Sequence, residues 1–88
     1  MSSNFLKIDE FLLGKGFYKI NEEQENNTIW CIYRKENEKI GVEIDVSNKG
    51  NIGLRVYTKT FSGLDYHCVL ECTTEWCYLE DLMELLGM

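Results

Sequence analysis

The chain has 88 residues, of which 44% are hydrophobic, and a formal net charge of −6 at pH 7. This length and apolar content predict one folded domain spanning residues 1–88, because the chain can bury enough apolar surface to exclude a disordered tail but has no room for a second core. The acidic balance excludes direct binding of nucleic acid, which needs lysine and arginine to neutralise phosphates, and no segment approaches the roughly 18 apolar residues of a membrane span.

The N-terminal segment predicts a helix over about residues 4–14. Apolar residues recur there at helical spacing after three residues with N-capping side chains, and Gly14-Lys15-Gly16 ends the run. The short apolar run Phe17–Ile20 predicts a strand. The polar stretch Asn21–Asn27, which is rich in glutamate, predicts a solvated loop.

The next segments predict strands joined by hairpins. Thr28–Arg34 is apolar on both alternating faces, which is typical of a central strand. Ile40–Val46 and Ile52–Val56 alternate apolar with polar or small residues, so each has one face to bury. Lys35–Lys39 is short enough only for a hairpin connection, and Ser47–Asn51 supplies turn residues for a second hairpin.

A five-residue loop in the second hairpin fixes the expected register of its two strands. Val46 then lies opposite Ile52, and Ile44 lies opposite Leu54. On the outer face Glu43 lies opposite Arg55, which forms an oppositely charged cross-strand pair and agrees with this register.

The C-terminal third predicts a loop, a further element and a helix. Thr58–Asp65 is a loop, and Tyr66–Cys72 is either a fifth strand or the start of a helix. We favour the strand, because Thr73-Thr74 would interrupt a long helix with residues that prefer to cap one. From Glu75 onward apolar residues recur at helical spacing, and Gly87 is placed to end the helix.

These elements predict an α+β fold. A mainly antiparallel sheet of four or five strands is flanked by an N-terminal and a C-terminal helix, which cover one face. The residues expected in the core are Val42, Ile44, Leu54, Val56, Leu79 and Leu82.

The cysteines and the single histidine raise the question of a metal site or a catalytic thiol. His67, Cys68, Cys72 and Cys77 have the element types of a zinc site, but in a strand Cys68 and Cys72 share one face roughly 13 Å apart, too far for one metal. No base is placed beside a nucleophile and no phosphate-binding glycine loop is present, so we expect no enzyme, no metal and no cofactor. Without a leader peptide we expect a cytoplasmic protein with reduced thiols.

The charge is distributed unevenly along the chain. Residues 1–59 carry nine acids and nine bases, whereas residues 60–88 carry six carboxylates and neither lysine nor arginine. Glu80, Asp81 and Glu84 share one face of the predicted helix with no lysine three or four residues away, and Glu75 lies in the first turn. Such a face can be a solvated surface only, but its potential also favours a basic partner.

In size and charge the chain resembles small inhibitors from phage and mobile elements, of the anti-CRISPR and anti-restriction type, and toxin-immunity proteins. The resemblance rests on no motif and assigns no residue. It implies a protein-binding module whose acidic third occupies a basic, nucleic-acid-binding surface of a larger protein. The alternatives are an immunity or adaptor protein that binds through the open sheet face at Glu43, Arg55 and Tyr57, and a small zinc-stabilised module. A homodimer is also open.

Overall fold

The computed structural model describes residues 3–59 and 66–88. Their order is α1 (Ser3–Gly14), β1 (Tyr18–Glu25), β2 (Thr28–Glu36), β3 (Ile40–Ser47), β4 (Ile52–Lys59), β5 (Tyr66–Thr74) and α2 (Trp76–Leu85). The strands form one antiparallel sheet in the order β1-β2-β3-β4-β5, so each pairs with its neighbour along the chain. The predicted α+β fold, a five-stranded antiparallel sheet with an N-terminal and a C-terminal helix, is confirmed.

The core lies between the two helices and one face of the sheet. The helices contribute Ile8, Leu12, Leu79 and Met83, which are fully buried against side chains of β2, β3 and β4. Of the expected core residues, all are buried except Leu82, which is half-buried and packs at the margin. The other face of the sheet, called the open face below, carries the alternate side chains of the same strands.

The predicted loop Asn21–Asn27 is wrong, because most of it belongs to β1. The strand pairs with β2 from Tyr18 to Glu25, and Asn26-Asn27 alone make the turn, with Asn26 at φ 55°. Asparagine tolerates this left-handed conformation, which a two-residue hairpin turn requires. Every residue of β1 is exposed. The strand therefore buries no face, and its sequence shows no alternation of apolar and polar residues from which a strand could be predicted.

The register predicted for β3 and β4 is confirmed. Val46 pairs with Ile52, Ile44 with Leu54 and Glu43 with Arg55. The buried Ser47 hydroxyl fixes the intervening turn, since its Oγ accepts hydrogen bonds from the amides of Lys49 (3.2 Å) and Asn51 (3.0 Å).

The fifth strand is confirmed, with two corrections at its margins. Thr58 and Lys59 belong to β4 and not to the predicted loop, whose residues 60–65 lie outside the described part of the chain. Thr73-Thr74 end β5 and cap no helix, because the N-cap of α2 is Glu75, which makes no side-chain capping hydrogen bond. The register of β5 also shifts at Val69, where a bulge interrupts its pairing with β4.

Both helices end where glycine follows, and Lys35 joins the two ends. Gly16 and Gly87 have φ of 92° and 73°, a left-handed conformation that glycine adopts without steric cost. From β2, the Lys35 ammonium donates hydrogen bonds to the carbonyls of Lys15 (2.6 Å) and Met88 (3.0 Å). One cation therefore holds the C-terminal segments of α1 and α2 over the same end of the sheet.

Candidate functional site

The centre of the open face is an ion-pair network around Arg55. Its guanidinium lies 3.2 Å from Glu43, 3.3 Å from Asp45 and 3.7 Å from Glu71, which come from β3 and the neighbouring β5. Alternation along three adjacent strands places these side chains on one face, since Glu43 and Glu71 are the register partners of Arg55 on either side. The predicted Glu43–Arg55 pair is thus one contact of a larger cluster.

A second arginine extends this network towards β2. Arg34 lies 3.5 Å from the other carboxylate oxygen of Glu43, and its guanidinium stands over the ring of Tyr57 at 5.6 Å from the centroid. Three predicted residues, Glu43, Arg55 and Tyr57, therefore do lie together. Glu43 forms ion pairs with Arg34 and Arg55, and Arg34 stands over the ring of Tyr57. The charges of Glu43 and Arg55 are therefore largely compensated within the protein.

Asp45 is the least satisfied member of the network. Its Oδ1 is buried and has no hydrogen-bond partner among residues 3–59 and 66–88, whereas Oδ2 faces Arg55. Burial raises the pKa of the Asp45 carboxyl, and Arg55 opposes that rise only in part. Gly53 lies opposite on β4, where a Cβ would come within 3.8 Å of the Asp45 Cβ, so the glycine leaves the carboxylate in a shallow hollow.

The hollow widens towards the N-terminus of α2. A depression of about 590 Å³ is lined there by Trp30, Asp45, Gly53 and Glu75, among others. Glu75, predicted to accompany the acidic helix face, lines this depression at the margin of the open sheet face.

The acidic face of α2 is present as predicted. Glu80, Asp81 and Glu84 are exposed, while Leu79 and Met83 on the opposite side enter the core. Within the described ranges, none of the three carboxylates has an ion pair or a hydrogen bond. In contrast to the open face, this surface has a charge that no described residue compensates.

Two large apolar side chains accompany the acidic face. Tyr78 is 58% exposed and Leu85 is 82% exposed, and both lie on the flank next to Asp81. Trp76, by comparison, is half-buried and packs edge-on against Phe11 of α1, with ring centroids 5.5 Å apart. We define the acidic flank as Tyr78, Glu80, Asp81, Glu84 and Leu85.

The structure separates the four side chains considered for zinc. Cys68 pairs with Tyr57 on the open face, and Cys72 pairs with Leu54 on the core face, because the bulge at Val69 changes the alternation. The prediction that Cys68 and Cys72 share a face is therefore wrong. His67 and Cys77 lie on β5 and α2, and the described residues contain no group of three metal-binding side chains.

Sequence reasoning missed several members of the open-face network. Asp45, Arg34 and Glu71 were not singled out, although the period-two alternation that selected Glu43 also places Asp45 beside it. Glu71 could be added only once β5 was known to pair with β4. Trp30 lines the depression, but no sequence pattern distinguishes a tryptophan in that position from one in the core.

Comparison with protein-family models, with curated proteins and with solved structures finds no match to this chain. Neither described helix is long and apolar enough to cross a membrane.

Proposed function

We propose that the chain is a non-enzymatic protein-binding module whose acidic flank binds a basic surface of a larger protein. The observation that carries the proposal is the contrast between the two acidic surfaces. Carboxylates on the open face are paired with Arg34 and Arg55, whereas those of the acidic flank have no cationic partner in the described ranges.

Three adjacent carboxylates on one helix repel each other, and a cation-rich surface relieves that repulsion. Tyr78 and Leu85 supply the apolar contact area that gives a charged interface its affinity, since electrostatics mainly set association rate and specificity. A basic surface of this kind is what nucleic-acid-binding proteins present to phosphates. The module would therefore compete with nucleic acid and act as an inhibitor, as expected of an anti-defence protein of a phage or mobile element.

The test is a triple charge reversal, Glu80→Lys, Asp81→Lys and Glu84→Lys. The fold should persist, because exposed substitutions usually change stability by about 0.5 kcal/mol or less each. Binding of polylysine, followed by chemical shifts of the α2 amides, should fall by at least tenfold. Binding of the parent should also weaken steeply with salt.

A matched control separates the acidic flank from net charge. Reversal of Glu10, Glu25 and Glu38, which are exposed at three separate places, changes the net charge by the same amount. This control should keep the α2 shifts and most of the affinity. If both triple variants lose binding equally, only net charge matters and the proposal fails.

A second candidate is an adaptor or immunity protein that binds through the open face. The hollow beside Trp30 and the unpartnered oxygen of Asp45 favour it, since a donor from a partner could fill both. In that case Trp30→Ala should abolish partner binding while the acidic-flank reversal leaves it intact.

A further inference from the structure

The two edges of the sheet differ in how they are protected against pairing with another strand. Both β1 and β5 carry one bulge, at Ile20 and Val69 respectively. β1 also carries one lysine and three glutamates within eight residues, which discourages pairing. β5 has neither lysine, arginine nor proline in nine residues, and Glu71 is its one acidic side chain.

The side chains of β5 that face the helix side are poorly covered. Leu70 and Cys72 lie on the same face as the buried Val56 and Leu54, their register partners, yet both are exposed, Leu70 to 48%. The helices bury the inner face of β2 to β4, and none of the residues in 3–59 and 66–88 that form the core belongs to β5. Apolar surface therefore continues past the core to an open sheet edge.

The acidic flank adds to this uncovered surface. Tyr78 lies two positions after Trp76, about 200° round the helix axis, so it projects away from the contact between Trp76 and α1. Asp9 of α1 accepts a hydrogen bond from Tyr33 of β2, and the backbone of α1 approaches β3, so α1 lies over these two strands. Leu85 lies on the same side of α2 as Tyr78, so both side chains are turned away from α1.

We propose that the edge of β5 pairs with an extended segment of a partner protein in which apolar and basic residues alternate. Apolar side chains of that segment would pack beside Leu70 and Tyr78. Its cations would share Glu71 with Arg55 on the opposite face, because that carboxylate is 69% exposed and its ion pair with Arg55 is long, at 3.7 Å. Main-chain hydrogen bonds would supply affinity, and the alternating side chains would supply specificity. The basic character of the segment rests on the proposed function.

Charge argues against a second copy of this chain as the occupant. Two copies each carry a net charge of −6. Pairing of β5 with β5 would bring together two carboxylate-rich C-terminal segments, and residues 66–88 contain neither lysine nor arginine to offset the repulsion. A basic segment meets no such repulsion. The strand-pairing surface therefore fits a cationic partner better than it fits itself.

The probe for this proposal is a nine-residue peptide of alternating valine and lysine. In the complex, amide hydrogen exchange in residues 67–73 should slow by at least tenfold at the positions that face the edge. An alternating glycine–lysine peptide has the charge but little strand propensity, and it should not slow this exchange. Val69→Lys should weaken binding of the first peptide by at least tenfold, whereas Ile20→Lys, at the bulge of the opposite edge, should change it by less than twofold.

Each alternative outcome has a distinct reading. Failure of the valine–lysine peptide to bind overturns the strand-pairing proposal. Chemical-shift changes in α2 without slower exchange in β5 overturn it as well, but they leave the proposed function intact. Protection of β5 that persists in the triple reversal of Glu80, Asp81 and Glu84 supports strand pairing and counts against the acidic flank. Protection without peptide that grows with protein concentration assigns the edge to a second copy and overturns the proposal.

Discussion

Arg55→Met should destabilise the protein mainly because it leaves the Asp45 carboxylate without its cationic partner. Methionine keeps the aliphatic volume of the arginine stem but removes the cation that meets Glu43, Asp45 and Glu71. Glu43 retains Arg34, and Glu71 is exposed to water, so neither loses much. Asp45 loses the cation at Oδ2 while its Oδ1 is already without a partner in the described residues.

The expected cost is intermediate between those of surface and buried ion pairs. Charges 3.3 Å apart attract by about 5 kcal/mol at an effective dielectric constant near 20, but desolvation offsets much of this. Exposed pairs contribute about 0–1 kcal/mol, and loss of one partner of a fully buried pair costs about 3–5 kcal/mol. With Arg55 partly exposed and Asp45 mostly buried, we expect about 2 kcal/mol, or a fall in Tm of roughly 8–16 °C.

The pH dependence of this loss identifies its source. Burial already raises the pKa of Asp45, and removal of Arg55 raises that pKa further. A carboxyl whose pKa is raised by folding binds protons more tightly in the native state, so its unfavourable contribution is present above the folded pKa and disappears as pH falls. The stability difference between the parent and Arg55→Met should therefore shrink between pH 7 and about pH 4.

Urea unfolding at several pH values, followed by tryptophan fluorescence, measures this difference. The double variant Arg55→Met with Asp45→Asn is the control, and it should recover at least half of the loss at pH 7, because no buried charge remains. A Tm within 2 °C of the parent, or a loss that does not change on acidification, would refute the account of Asp45.

Two further substitutions test the core and the helix ends. Ile44→Ala should cost roughly 2–5 kcal/mol by thermal or urea unfolding, since Ile44 is fully buried, whereas Ile44→Val should cost about 0.5–1.5 kcal/mol; equal melting of Ile44→Ala and the parent would remove Ile44 from the core. Lys35→Met should cost roughly 1–3 kcal/mol and speed amide exchange in the last turn of α2, because two carbonyls lose a charged donor; unchanged exchange there would show that the Lys35 contacts do not hold the helix end.

Elements that bury one face could be predicted from the sequence, because burial imposes a period on side-chain polarity. Apolar residues alternate with polar or small ones along β3 and β4, and the opposite charges of Glu43 and Arg55 indicate the same register as the pairing of the two strands. β1 has no buried face, so its pairing left no apolar period in Asn21–Asn27. The turn at Asn26 was the available signal, since paired asparagines suit a two-residue hairpin.

The candidate site was predictable only in so far as it follows regular geometry. The face shared by Glu80, Asp81 and Glu84 follows from helical spacing alone. The bulge at Val69 places the β5 residues before it on the sheet face opposite to the one that strict alternation predicts. It depends on the pairing of β5 with β4, which no local sequence pattern encodes. The cluster around Arg55 likewise required the order of three strands in space.

The neighbour-to-neighbour order of the sheet has a consequence for the route by which the chain folds. All four strand pairs join consecutive segments, so the hairpins can close over short distances, and proteins dominated by such local contacts fold rapidly. The contact between Phe11 and Trp76 spans most of the chain, so its formation carries a large loop-closure entropy cost. The meander should therefore form early and expose its apolar inner face briefly, until α2 docks beside α1 and covers it.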